Sequence, residues 1–519
     1  MPDWLKDAVF YEIYPQSFYD SNGDGIGDIR GIIAKLDYIK DLGCNALWIN
    51  PCYDSPFKDA GYDVRDYKKV APRYGTNEDL YELFDTAHEK GIRVLLDLVP
   101  GHTSEEHEWF RASGKAERNE YSDRYIWTDS WIAGIAGHPY IGGECERNGT
   151  YMLNFFKCQP ALNYGFKDPK YPWQMSYLDE GPVATQEALA DIMRFWLDHG
   201  CDGFRVDMAD SLVKDDDNDK SATCSVWRRI RTMLDEKYPE AALVSEWSNP
   251  YQSLNSAGFH MDFYLDHWGN GYNTLLRDYE TQGDDDSYFK KDGNGDIERF
   301  LNDYIPKYTA TEPNGYISFM TCNHDTPRPA RTLDEAELKI AYATLLTLPG
   351  VPFIYYGDEI GMKYIENIPT KEGGYTRTGS RTPMQWDNSV NCGFSTANAD
   401  KLYLPVDPES SNEGYDLTVS AQSGRAGSLL NTVKKILAFR HDHSQLEAGA
   451  GFKVLLGRKD KPFVFAREDL LIAVNPKETA ATGEIGLTGP AKELFSIGRC
   501  ELNNGVLNMA PQSFAIFEM

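Results

Sequence analysis

No stretch of this 519-residue chain stays apolar long enough to cross a bilayer. The nearest candidate, "LLTLPGVPFIYYG", is interrupted by Pro349, Gly350 and Pro352, so no membrane span is expected. The first residues, "MPDWLKDAVFYEIYP", lack the basic start, apolar core and cleavage site of a secretory leader. The nine cysteines are odd in number, scattered and free of any CxxC pair. That argues against a disulfide framework and for a reducing compartment, so a cytoplasmic protein is expected. Basic residues are scarce, 52 Lys and Arg against 80 Asp and Glu, for a net charge of −28. Nucleic acid and anionic membrane, which need basic patches, are poor partners for such a surface. A small neutral substrate suits it, as does a monomer or weak homo-oligomer. No HExxH, no compact His and carboxylate spacing and no phosphate-cradling loop is present. Ser and Cys do not fall in nucleophile motifs, and no GxGxxG follows the first strand pattern.

What is present is an alternation. Short runs rich in β-branched and aromatic residues ("VFYEIYP", "NALWINP", "IRVLLDLVP", "GFRVD", "ALVSEW", "MDFYLD", "YISFMTCNHD", "PFIYYGDEIG") alternate with helical patterns. "GIIAKLDYIKDLG" puts Ile32, Ile33, Leu36, Ile39 and Leu42 on one helical face, and "TNEDLYELFDTAHEKG" opens at Thr76 or Asn77 and closes at Gly91. Eight strands in this rhythm predict an α/β fold, a (β/α)8 barrel (TIM barrel). The rhythm lapses over residues 102–167, which predicts a loop-rich insertion (domain B) after strand 3. It resumes over 168–445, so the barrel is expected from 1–101 and 168–445. Short strands with turn signals then predict an antiparallel, sandwich-like C-terminal β domain over 446–519.

In such a barrel the chemistry gathers where strands end. The strand ends here carry Asp97 and then His102, Arg205 and Asp207, Glu246, and His324 with Asp325. Carboxylates crowded into one mouth have their pKa values driven apart, so that one can attack while another donates a proton. Glycoside hydrolysis needs such a pair.

The motifs "GFRVD", "SEW", "NHD" and "RTPMQWD", in this order and each at a strand end or on a following loop, resemble glycoside hydrolase family 13, the α-amylase family. The similarity runs from "FYEIYPQSF" through "GDIRGIIAKLDYIKDLG" to "GVPFIYYGDEIGM", and is strongest to the α-glucosidase and oligo-1,6-glucosidase branch. The resemblance implies that Asp207 is a nucleophile, Glu246 the general acid/base and Asp325 a transition-state stabiliser. It implies that Arg205 orients Asp207, that His102 and His324 bind hydroxyls of the transferred glucose, and that Tyr62 of "GYD" stacks beneath that ring. In a retaining pair the two carboxyl groups lie about 5–5.5 Å apart. The resemblance also implies that Asp59 and Arg381 clasp the terminal 4-hydroxyl, which makes the enzyme exo-acting.

One further stretch, "DSNGDGIGD", reads like the start of a calcium loop, but Gly31 stands where an EF-hand has its bidentate Glu. The resemblance implies a structural Ca2+ or Mg2+ held by Asp20, Asn22, Asp24, the carbonyl of Ile26 and Asp28. Three positions depart from the family pattern. Gly101 replaces the usual Asn, so a second calcium is not expected; Ala161 stands in "QPALN" where relatives carry Asp; and Met208 matches neither residue type associated with α-1,6 or α-1,4 preference. The expected activity is that of a retaining exo-α-glucosidase on short malto- or isomalto-oligosaccharides or sucrose. The alternatives are a glucosyltransferase or isomerase of the trehalose synthase or sucrose isomerase type, and a non-catalytic relative such as a transporter heavy chain.

Overall fold

The computed structural model describes residues 1–519 apart from 133, 135–136, 282–284 and 487–490. The barrel strands are β1 (Phe10–Ile13), β2 (Ala46–Ile49), β3 (Arg93–Leu98), β4 (Gly203–Val206), β5 (Ala242–Ser245), β6 (Met261–Phe263), β7 (Tyr316–Ser318) and β8 (Phe353–Tyr355). All are parallel, in the order β7-β6-β5-β4-β3-β2-β1-β8. The ring closes just beyond β7, through a parallel bridge between Met320 and Phe353. There the Thr321 amide donates to the Phe353 carbonyl and the Phe353 amide to the Phe319 carbonyl, each at 2.9 Å. The expected eight-stranded barrel is thus present.

The strands read as nearly continuous apolar runs because both of their faces are buried. Outward residues such as Tyr11, Leu47, Val94, Phe204 and Leu243 pack under the helices. Inward residues Phe10, Ala46, Trp48, Leu95, Ala242, Val244, Met261, Phe263 and Phe353 form a separate apolar plug. Two residues further along the same inward faces come Glu12 after Phe10 and Asp97 after Leu95, both buried. The barrel interior therefore passes from apolar to charged toward the strand C-termini.

The helix Asn77–Glu89 carries a reciprocal capping box between Thr76 and Asp79 and buries Leu80, Leu83, Phe84 and Ala87. The helix expected over "GIIAKLDYIKDLG" is instead two short ones, Ile29–Ala34 and Leu36–Leu42, broken at Lys35. The apolar spacing holds across the break, so periodicity alone reads one helix. Further helices include Glu180–Asp198, Ser221–Lys237, Ile297–Thr311, Glu335–Leu345 and Leu429–Asp442. No helix among the described residues is long and apolar enough to cross a membrane.

Between β3 and Glu180, regular pairing is sparse: Tyr140–Gly142 pairs with Thr150–Met152, beside isolated bridges such as Trp127 with Tyr151. From Lys453 onward the strands are antiparallel, in a five-stranded and a three-stranded sheet. Val464, Leu471, Ala473, Leu507, Met509, Ala515 and Phe517 fill the space between these sheets.

Arg467 docks the larger sheet onto the barrel. Fully buried, it donates to the carbonyls of Thr347 (2.8 Å), Glu447 (2.5 Å), Gly451 (3.1 Å) and Ala450 (3.4 Å). Hydrogen bonds to a charged group contribute about 1.5–3 kcal/mol each. Arg467→Leu should strip these carbonyls of their donor and destabilise the protein by about 3 kcal/mol or more. A thermal melt unchanged from the parent chain would contradict that role.

Candidate active site

Asp207 follows β4, its amide held by the Leu98 carbonyl at 2.9 Å, and Glu246 follows β5, its amide held by the Val206 carbonyl at 3.0 Å. Strand pairing thus sets both acids side by side. Arg205, pointing inward from β4, joins them. Its Nη1 reaches Asp207 Oδ1 at 3.1 Å and Asp97 at 3.0 and 3.2 Å, and its Nη2 reaches Glu246 Oε2 at 2.9 Å. Both carboxylates are thus held on one guanidinium. Met208 adopts left-handed backbone angles (φ 43°, ψ 48°), and its amide donates to Glu246 Oε2 at 2.9 Å.

Burial and the neighbouring Glu246 push the Asp207 carboxyl well above its usual range, with Arg205 opposing. Burial likewise lifts Asp97 to about 6, against Arg205. Burial would also raise Asp325, but His324 beside it, then Arg381 and Arg377, bonded to its Oδ1 at 2.8 and 2.9 Å, more than offset this and hold it below its usual range. The environment therefore drives these carboxyls apart.

These residues open onto a cavity of about 240 Å3 lined by Asp59, Tyr62, His102, Phe155, Asp207, Met208, Glu246, Asp325 and Arg377. A larger surface cleft of about 640 Å3 lies elsewhere. Its charges pair among themselves, Arg65 with Asp54 and Glu106, Lys68 with Asp191. None of the strand-end acids reaches it, so the smaller cavity is the chemical one.

Two sequence-based placements need correction, Arg381 and His324. Arg381, expected with Asp59 on the terminal 4-hydroxyl, does not line the cavity. It is buried behind Asp325, donating to the His324 carbonyl (2.7 Å), Asp325 Oδ1 (2.8 Å) and Tyr14 Oη (3.4 Å). The arginine facing Asp59 is Arg377, 3.6 Å away and a turn earlier on the same loop. His324 is not on the cavity wall. Its ring stacks behind Tyr62 (centroids 5.3 Å apart, 13° between planes), and Nε2 lies 2.7 Å from Tyr62 Oη. His102 does reach the wall, but both ring nitrogens are engaged, Nε2 by the Tyr62 carbonyl (3.0 Å) and Nδ1 by the Asn154 amide (3.0 Å). Burial lowers its pKa to about 4, so it is neutral.

Sequence reasoning missed several residues. Gln159, within the quoted "QPALN", donates to Asp59 Oδ2 at 2.7 Å. Asn154 is admitted by Gly101, where a Cβ would meet the Asn154 amide nitrogen at 2.7 Å. Phe155 and Arg377 carried no strand-end signal, because they sit on loops.

The 20–28 loop is closed by its own amides. Asp20 accepts from Asn22, Gly23 and Gly25, Asn22 from Asp24, Asp24 from Ile26, and Asp28 from Gly31, which caps the first helix. The donors are oxygens, as a hard cation prefers. Among the described residues, however, no three His, Cys, Asp or Glu side chains are gathered as a cation cage.

Fold and mouth together define a (β/α)8 barrel whose strand-end acids gather at one cavity of about 240 Å3. Residues 12–449 match the family described as alpha amylase, catalytic domain, and the chain belongs to that family. It is 34% identical over 507 residues to the trehalose synthase/amylase TreS of Mycolicibacterium smegmatis, covering 90% of this chain and 81% of that one. It is 31% identical to an oligo-1,6-glucosidase of Heyndrickxia coagulans, covering 93% and 94%. A solved structure of an inactive MutB double mutant in complex with isomaltulose superposes with a TM-score of 0.80 at 26% identity, covering all of both chains.

Burial raises the Asp59 carboxyl to about 6, with Gln159 and Arg377 opposing. As pH falls through that value, Asp59 loses the charge that faces Arg377, and kcat/KM should fall with KM rising. A carboxyl whose folded pKa lies above its unfolded one does not lose fold stability on protonation. The loss should therefore appear without a matching drop in Tm from this group. Asp59→Asn should raise KM about tenfold or more and remove this acid limb. A limb unchanged in the variant would assign it to another group.

Proposed function

We propose that the protein is a retaining, exo-acting α-glucosidase that removes terminal glucose from short α-glucosides. The observation that carries this reading is Arg205 holding Asp207 and Glu246 on one guanidinium, across the cavity from a strongly acidic Asp325. With the pair's shared proton on Glu246 and Asp207 held as a carboxylate by Arg205 against the burial that raises it, Asp207 attacks the anomeric carbon while Glu246 gives that proton to the departing glycosidic oxygen. A covalent glucosyl ester on Asp207 results. Glu246, now a carboxylate, takes a proton from water, whose oxygen displaces Asp207 and retains the configuration. Asp325 would bear on the ring hydroxyls and the positive charge that develops at the anomeric centre.

The exo reading rests on two cavity-lining residues, Asp59 and Arg377. They face each other, with Gln159 fixing Asp59. A carboxylate and a guanidinium can both bond one terminal hydroxyl, and a longer chain would run into them.

A second reading is favoured by the relatives: one is named a trehalose synthase/amylase, and the superposing structure holds isomaltulose. In it the glucosyl ester passes to a sugar hydroxyl held in the cavity mouth, where Phe155 and Met208 line the wall. Chromatography of products from maltose, isomaltose, sucrose, trehalose and maltotriose separates the two. Free glucose as the main product supports hydrolysis, and a rearranged disaccharide supports transfer.

For the 20–28 loop we propose one structural Ca2+ or Mg2+ on Asp20, Asn22, Asp24, the Ile26 carbonyl and Asp28, which would require the amide-bound oxygens to reorient. Chelation should then lower Tm more than kcat, since the loop lies away from the acids. A crystal grown in Ca2+ without density at this loop would exclude the site. Asp207→Asn should cut kcat by about three orders of magnitude or more while leaving Tm unchanged, and near-normal turnover would remove Asp207 from the nucleophile role.

A further inference from the structure

Glu12 lies on the inward face of β1, wholly buried, and no motif assigns it a part in the chemistry. Its Oε1 is 2.8 Å from His324 Nδ1, and its Oε2 has no hydrogen-bond partner. The other edge of the same imidazole meets two residues that line the cavity, with Nε2 2.7 Å from Tyr62 Oη and 3.4 Å from Asp325 Oδ2. Glu12 thus sits behind the histidine while Tyr62 and Asp325 sit in front.

The proton positions follow from the partners. Tyr62 Oη has one hydrogen, and the carboxylate it is hydrogen-bonded to among the described residues is Asp97, Oδ2 at 3.0 Å. Donating there, Tyr62 must accept from His324, so Nε2 carries a hydrogen. Asn50 Nδ2, at 3.2 Å from Tyr62 Oη and 3.1 Å from His324 Nδ1, is compatible with an acceptor at Nδ1, whose one lone pair it would share with Glu12. For the 2.8 Å contact at Nδ1 to be a hydrogen bond and not two facing lone pairs, Glu12 must supply the hydrogen.

We infer that Glu12 is a positioning residue for the sugar site: a buried, protonated acid that donates to His324 Nδ1 and so fixes the Nε2–H form toward Tyr62 and Asp325. The surroundings agree. Burial raises Glu12 well above the carboxylate range, against Arg205 and Asn50 and with help from Asp325 and Asp97; Tyr355 also faces it. Burial likewise drives His324 far below its usual value; Asp325 opposes this, and Arg381, Arg205 and Arg377 add to it. A neutral acid against a neutral imidazole also leaves Oε2 as a carbonyl-type oxygen, which tolerates an empty buried position far better than a carboxylate oxygen does.

The inference rests on the reading of Tyr62 and Asp325 as part of the sugar site, but its first test does not depend on activity. In protein carrying 15N-histidine, the His324 signals, assigned by their loss in His324→Gln, should show an unprotonated Nδ1 and a protonated Nε2 from pH 5 to 8. An imidazolium pattern, or hydrogen on Nδ1, overturns the proposal. The second test uses two variants. Glu12→Gln keeps a donor at Nδ1 and should retain kcat/KM within about threefold, with an unchanged pH profile. Glu12→Leu loses the donor and should lose about tenfold or more in kcat, at matched Tm-corrected temperature. Equal impairment in Glu12→Gln and Glu12→Leu would mean that an ionised carboxylate is needed, and overturns it. The product panel on the parent protein reports separately on the glucosidase reading.

Discussion

One guanidinium organises this molecule's chemistry. Arg205 is buried at the centre of the mouth, and Asp97, Asp207 and Glu246 all converge on it. Three carboxylates in a dry barrel would repel one another and take up protons. A single cation in bonding distance of all three cannot neutralise them fully, so their proton affinities spread. That spread is what the proposed division into an attacking and a donating carboxyl requires. Trp48 Nε1 and Tyr62 Oη, both donating to Asp97 Oδ2, hold the third acid out of the reaction as the anchor of Arg205.

The barrel makes this possible by layering. Period-two alternation sends every second residue inward, and along β1 and β3 the inward series runs from an apolar residue to an acid. The apolar plug beneath excludes water and lowers the dielectric, which strengthens each bond above it. The loops then finish what the strands begin. Gln159 orients Asp59, Asn154 orients His102, and Arg377 and Arg381 grip Asp325 from one short segment.

How much of this the sequence disclosed depended on where a residue sits. Strand-end residues were legible, since a strand and its terminal polar residue are adjacent in the chain and the barrel rule supplies their destination. Asp207, Glu246 and Arg205 fall where that rule puts them. Residues on loops were not legible in the same way. Arg377 and Arg381 are four positions apart, and only the path of the turn through Tyr375–Ser380 decides which faces Asp59. His324 was read as a group on the cavity wall, but whether a side chain faces the cavity or backs another depends on packing from Tyr62 and Glu12, far away in sequence. The break at Lys35 was invisible for the opposite reason: the apolar period continues through it.

The ring of strands is not equally stiff around its circumference. The seam between β7 and β8 is carried by the isolated bridge of Met320 and Phe353, where the others carry ladders within named strands. Asp325 hangs five residues beyond that bridge, whereas Asp207 and Glu246 hang directly from the strongly paired β4 and β5. Warming therefore strains the two sides of the cavity differently. On the proposed reading, the wall that carries Asp207 and Glu246 keeps its shape longest and the wall that carries Asp325 softens first, so fidelity for the substrate should decline at lower temperature than the capacity for the reaction itself.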